Sequence, residues 1–174
     1  MTSTATLDRS STGASNTTQV YRIFNKATPQ AIWDAITKPE WTQRFGYPGR
    51  GEYDLRPGGS YRAVAGAEAQ AMGMPELLVE GEVIELDPPR KLVQTWRAAW
   101  DPDLVAEGFT RVTFEISDED SGISQLTVTH ELEGAPKHAA QVASIAPLAQ
   151  GGGGWTWILS DLKTLLESGS SLQG

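Results

Sequence analysis

The chain carries only two histidines, and His130 stands where a side chain could do chemistry. Leu126, Val128, His130 and Leu132 alternate with Gln125, Thr127, Thr129 and Glu131, so in a strand the imidazole points to the apolar side. An inward imidazole titrating near neutrality can hydrogen-bond a ligand or act as a general base. A core or pocket-edge histidine satisfied by a neighbour fits the same pattern. His138 lies eight positions further on, and no carboxylate stands at a zinc spacing such as H-E-x-x-H. No metal site is expected, nor any other cofactor. Neither histidine has an evident Ser or Asp partner, so no catalytic set follows from spacing.

Aromatic rings are the second chemical resource. There are six Trp, four Tyr and four Phe. Trp33, Trp41, Phe45, Tyr61, Trp96, Trp100, Phe114, Trp155 and His130 are the candidates to line an apolar pocket, although each also suits plain core packing. Met72 and Met74 join them as flexible gap-fillers suited to an adaptable lid or to a loop tucked onto the core. Arg62 and Arg97 face out if Tyr61 and Trp96 face in, whereas a one-residue shift of register would turn them toward the pocket and imply an acidic ligand. Gly151–Gly154 lacks the Lys-Ser/Thr of a phosphate loop and reads as a flexible hinge. Asp118-Glu119-Asp120 reads as a solvated turn.

These side chains need a scaffold. Gln19–Phe24 has strand composition. Thr28-Pro29 has the form of a helix start, and Ile32, Trp33 and Ile36 give that helix one apolar face. Pro39 opens a second short helix. A short strand over Glu52–Leu55 is turned by Pro57-Gly58-Gly59 into Ser60–Ala65. Gly66–Pro75 reads as a loop. Leu77–Leu86, Lys91–Trp100, Arg111–Ile116 and Ile123–Leu132 follow as strands, with Leu92, Trp96 and Trp100 sharing one side. Pro136–Gln150 is a short interrupted helix or an irregular lid. Trp155–Glu167 is the strongest helix, with Trp155, Leu159, Leu162 and Leu166 on one stripe and Gly169 as its stop. The pattern is an α+β domain of about seven strands with two short helices after the first, its curved antiparallel sheet wrapped around the C-terminal helix. Gly58-Gly59, Gly81 and Pro88-Pro89 are the expected bends.

At 174 residues, one domain is expected over residues 19–168, flanked by a Ser/Thr-rich arm at 1–18 and a tail at 169–174. A composition of 39% hydrophobic and 21% charged residues describes a globular chain rather than a disordered one. No apolar run approaches the roughly 20 residues of a membrane span. The net charge of −8 argues against nucleic acid as a partner. No cysteine is present, which excludes disulfides and thiolate chemistry and makes a cytoplasmic location the expectation. The pattern allows a homodimer without marking an interface.

Several segments together resemble a known family: Ala31-Ile32-Trp33-Asp34-Ala35-Ile36-Thr37-Lys38-Pro39-Glu40, the Arg56–Arg62 turn, Gly81–Trp96, Thr127-Val128-Thr129-His130, and Gly154-Trp155. They are similar to the helix-grip superfamily of START and birch-pollen-allergen-like proteins (SRPBCC), and within it to the AHSA-type branch named after the activator of heat-shock-protein ATPase. The resemblance spans roughly residues 19–167. It implies a seven-stranded sheet gripping the last helix with a cavity between them. Two segments are longer than this pattern, Ala67–Glu76 and Glu133–Gly154. The family has no universal catalytic motif, so no catalytic residue is carried over. The resulting expectation is a binder of a small hydrophobic or aromatic ligand. Two other readings stand beside it: a cyclase or hydratase acting on a polyketide-like ligand with His130 as acid/base, and a co-chaperone-like interaction module.

Overall fold

The computed structural model describes residues 17–174. The arm expected at 1–18 therefore lies outside the described residues up to position 16, and the first strand already begins at Thr18. In chain order the elements are β1 (Thr18–Asn25), α1 (Pro29–Thr37), α2 (Pro39–Thr42), β2 (Arg50–Tyr53), β3 (Ser60–Val64), α3 (Ala67–Ala71), β4 (Leu77–Asp87), β5 (Lys91–Ala98), α4 (Pro102–Glu107), β6 (Thr110–Asp118), β7 (Ser124–Glu131), α5 (Pro136–Val142) and α6 (Gly154–Ser168). The strands form one sheet in the order β1-β7-β6-β5-β4-β3-β2, every pair antiparallel. Strands β2 to β7 meander, and β1 closes the far edge beside β7. Helix α6 lies inside the curve and approaches β1 most closely among the strands.

Strand alternation holds on β6 and β7, while β5 ends at Ala98 and leaves Trp100 beyond the strand expected at Lys91–Trp100. Val112, Phe114 and Ile116 on β6, and Leu126, Val128 and His130 on β7, are buried on the α6 side. Thr28 caps α1 by accepting from the Ala31 N–H at 3.1 Å, with Pro29 in its first turn. The sheet bends where side chains are missing. A Cβ on Gly81 would stand 1.9 Å from the Thr95 carbonyl oxygen, so only glycine lets β4 and β5 approach there. Two residues later the register shifts between Val83 and Glu85, leaving Ile84 as the extra residue of a bulge and returning Leu86 to face Leu92. The Gly58-Gly59 turn docks on β4 through paired 2.8 Å bonds with the Val83 backbone. Pro88-Pro89 is the hairpin turn from β4 to β5, closed by the Arg90 N–H on the Asp87 carbonyl at 2.7 Å.

Three segments differ from expectation. The loop expected at Gly66–Pro75 contains the short helix α3, formed by the good helix formers Ala67-Glu68-Ala69-Gln70-Ala71. Helix α4 was unforeseen, yet Asp101 caps it by accepting from Asp103 N–H at 2.8 Å with Pro102 next. This is the chemistry of Thr28-Pro29 repeated. The glycine run is a packed segment instead of a flexible hinge. A Cβ on Gly152 would lie 1.8 Å from the Ala146 carbonyl oxygen, and one on Gly154 (φ +52°) 2.0 Å from that of Val142.

The Tyr47 hydroxyl locks this segment, donating to the Gly152 carbonyl at 2.8 Å and accepting from the Gly154 N–H at 2.9 Å. Tyr47→Phe removes both bonds without changing ring volume. We expect a loss of about 1–2 kcal/mol, read as a lower urea midpoint with an unchanged slope. Among the described residues no helix is long and apolar enough to cross a membrane.

Candidate functional site: the inner face of the grip

His130 is fully buried, and each ring nitrogen has a protein partner. Trp155 Nε1–H donates to Nδ1 at 3.0 Å. At Nε2 the partner is Thr110 Oγ1, 2.8 Å away, whose own hydroxyl donates to the Trp96 carbonyl at 2.7 Å. The Thr110 proton is thus committed, so its oxygen accepts and His130 carries its proton on Nε2. Burial, and secondarily His138, push the His130 pKa down to about 3. In this arrangement the imidazole is neutral and has no free lone pair or proton to offer a ligand. The core-histidine alternative describes it.

His138 is also fully buried. Its Nδ1–H donates to Glu107 Oε2 at 2.8 Å and its Nε2 accepts from the Ala98 N–H at 3.1 Å. Glu107 further accepts the backbone N–H groups of Lys137 (2.7 Å) and His138 (3.0 Å), capping α5. Desolvation raises the Glu107 pKa, but these bonds more than offset it and hold the carboxyl below its usual range. A carboxylate–imidazole pair of this kind could activate a nucleophile. Here the distal nitrogen is spent on a backbone amide, and the pair fastens α5 to α4 and β5.

Trp96 packs edge-on between the two histidines, 5.2 Å from His130 and 5.7 Å from His138 between centroids. Trp155 meets Phe114 at 5.9 Å and His130 at 6.1 Å. Four expected site residues (Trp96, Phe114, His130 and Trp155) thus form one buried aromatic cluster. Trp33 is likewise buried, while Trp41, Phe45, Tyr61 and Trp100 are half-buried against the core. Met72 and Met74 are not brought to it: helix α3 carries the chain outward, and Met72 is 82% exposed. Arg62 and Arg97 face out, Arg97 pairing with Glu80 and lying 4.2 Å over the Phe109 ring. Arg62, with Glu80 and Phe109, borders a concavity of about 410 Å³ on the outer face, which also touches Tyr61.

The inner face changes character at the β2–β5 end. Tyr53 and Tyr61, directly paired across β2 and β3, stack with centroids 4.5 Å apart. Tyr53 O–H donates to Gln94 Oε1 at 2.7 Å. Burial raises the Tyr61 phenol to about 12, and burial with the neighbouring Tyr61 raises Tyr53 well above its usual value. Both rings are half-buried and keep part of their surface accessible. Sequence reasoning passed over Tyr53 and Gln94. Parity with Leu92 and Trp96 was the available signal for Gln94, which is only 1% exposed. Among the described residues, no three His, Cys, Asp or Glu side chains come together as a metal site would require.

A curved antiparallel sheet closed over a C-terminal helix, with polar groups embedded on its inner face, defines a helix-grip protein. Residues 26–167 match the family model of activator of Hsp90 ATPase homolog 1-like proteins, and the chain belongs to that family. Among solved structures it is similar to protein MLL2253 from Mesorhizobium loti, with a TM-score of 0.62, 20% identity, and coverage of 86% of this chain and 96% of that one. Protein CV1439 from Chromobacterium violaceum superposes with a TM-score of 0.61 at 23% identity, covering 87% and 97%. An HSP90 activator from Plasmodium falciparum gives a TM-score of 0.54 at 20% identity, covering 90% and 91%. At such identities the likeness speaks for the fold. No curated protein matches the sequence.

Proposed function

We propose that the protein binds a small, largely apolar aromatic ligand against the inner face of the sheet at the β2–β5 end of the grip. The observation that carries this reading is the stacked Tyr53–Tyr61 pair, which is inward-facing yet partly accessible, beside the buried amide of Gln94. Aromatic faces with a few fixed polar groups are the usual make-up of a small-molecule site. A cytoplasmic setting belongs to the same proposal.

Thermal-shift and native mass-spectrometric measurements against lipids, polyketides and flavonoids test it. A ligand at 100 times its Kd adds about 2.7 kcal/mol, a rise of roughly 5–10 °C in Tm for a domain of this size. Tyr61→Ala should abolish that rise. No stabilisation by any compound would count against the reading.

An enzymatic reading needs an acid/base other than His130, because both of its nitrogens are engaged. A co-chaperone reading makes the opposite forecast in one assay: stimulation of an Hsp90 ATPase, with no dependence on Tyr61.

A further inference from the structure

Between Lys137 and Asp161 the chain carries no Asp, Glu, Lys or Arg, in a sequence that is 21% charged. Most of α5 and the loop after it fall in this run, and they place apolar side chains in water. Among the described residues Ile145 is 100% exposed and Leu148 53%. The loop that carries them is held in place. The Gly153 N–H donates to the Ser144 carbonyl at 3.0 Å, the Gly152 N–H to that of Pro147 at 3.2 Å, and the Ala146 N–H to Ser144 Oγ at 3.2 Å. The Tyr47 hydroxyl fixes Gly152 and Gly154 in turn. Only glycine lets the chain fold back this closely, since a Cβ on Gly152 would strike the Ala146 carbonyl. Ile145 is therefore a fixed projection whose exposure the backbone enforces.

Beside it lies a hollow of about 560 Å³. Gln19, Ala139, Ala140, Ala143, Ser144 and Ala146 line it, and Ile145 forms part of its wall. The hollow is braced as well. Gln19 Nε2 donates to the Ala139 carbonyl at 3.0 Å while its Oε1 accepts from the Tyr21 hydroxyl at 2.6 Å, tying α5 to β1.

One uncharged surface thus holds both a projection and a hollow. A flat lipid surface would use the projection and leave the hollow. A second copy uses both, because a two-fold axis beside Ile145 sets each projection into the other hollow. Charge favours the same place. Two chains of net charge −8 repel each other, and contact is least opposed where neither presents a charge.

We propose that this surface is a two-fold interface between copies of the chain, with Ile145 of each copy seated in the alanine-lined hollow of the other and Leu148 at its border. The interface is independent of the ligand reading of the inner face. Projection and hollow are both fixed before contact, so little ordering opposes association.

Sedimentation equilibrium of the full-length protein, spanning dissociation constants from about 1 μM to about 1 mM, tests it. A reversible monomer–dimer equilibrium is expected. Ile145→Ser should weaken it roughly hundred-fold, because the dimer contains the substitution twice and each buried isoleucine is worth about ten-fold. Ala140→Gln, which fills the hollow from an exposed position, should weaken it too. Ile84→Ser, at the exposed bulge of β4, should leave it unchanged. Added NaCl should tighten the dimer, since salt screens the repulsion between the chains while the contact has no ion pair to lose. Unchanged circular dichroism and melting temperature of the monomeric variants tie any loss to the interface instead of to misfolding. A monomer throughout the range overturns the proposal, as does a dimer that both Ile145→Ser and Ala140→Gln leave intact. A dimer weakened by salt overturns it by showing an ionic contact. Cosedimentation of a monomeric chain with phosphatidylcholine vesicles, abolished by Ile145→Ser, overturns it by giving the surface to lipid.

Discussion

Between pH 7 and pH 4 the protein should lose roughly 3 kcal/mol of stability through His130 alone. The folded ring accepts a proton only near pH 3, against an ordinary value of 6.5. The unfolded chain therefore takes up the proton first as the pH falls. Stability from the neutral, buried ring is complete above pH 6.5. It is lost at up to about 1.4 kcal/mol per pH unit below that, until the folded ring also protonates near 3. Glu107 acts in the same sense over a lower window. Its carboxyl is held below the ordinary 4.5, so its contribution is present above that pH and disappears beneath it.

Urea titrations of the wild type and of His130→Phe at pH 7, 5.5 and 4 isolate the histidine. At pH 7 the variant should be less stable by about 2–3 kcal/mol, because Trp155 Nε1 and Thr110 lose their partner. Its pH dependence should be flatter by nearly one proton, so the two stabilities converge near pH 4. Parallel curves would remove His130 as the source of the slope.

Asp161→Ala is the second large effect, with an expected cost of about 3–4 kcal/mol and a fall in Tm of roughly 10 °C. Asp161 lies in α6 with no exposed surface. Oδ2 accepts the Gly46 N–H at 2.9 Å and Gln173 Nε2 at 3.3 Å, and Oδ1 accepts the Leu172 N–H at 2.6 Å. A buried carboxylate held only by neutral donors depends on all of them, and its removal strands the donors in turn. Asp161 thereby ties the last helix to two segments, the loop after α2 and residues 172–173. Asp161→Asn keeps one acceptor oxygen and should lose about half as much. Truncation after Ser170 keeps the Gly46 bond and should lose less again. Calorimetry separates the three. A melting point for Asp161→Ala within about 2 °C of wild type would show that water replaces the carboxylate.

What could be foreseen at these sites follows the range of the forces involved. The Asp101-Pro102 start of α4 was as readable as Thr28-Pro29, since a cap and its proline are adjacent in sequence. Gln94 was open to parity, because Leu92 and Trp96 flank it on the same strand. Asp161 was not. Its position beside an apolar helix stripe suggests a surface carboxylate, and only the return of residues 172 and 173 makes it buried and satisfied. The glycine run failed for a similar reason. Four glycines suggest freedom locally, but the Val142 and Ala146 carbonyls that crowd them come from the end of α5 and the loop beyond it.

Alternation, capping pairs and turn residues are properties of neighbours along the chain. They were enough to give the α+β class, the meander and the inward side of His130, whereas the side taken by Tyr61 waited on the register and the family on the resemblance of whole segments. Whether an inward polar group is free or spent depends on partners distant in sequence. His130 is closed by residues 20 and 25 positions away, and Gln94 is set by a tyrosine 41 positions away. Folding alone brings those partners within hydrogen-bond reach. It thereby leaves His130 saturated, with neither ring nitrogen free for the chemistry its place on the strand suggested.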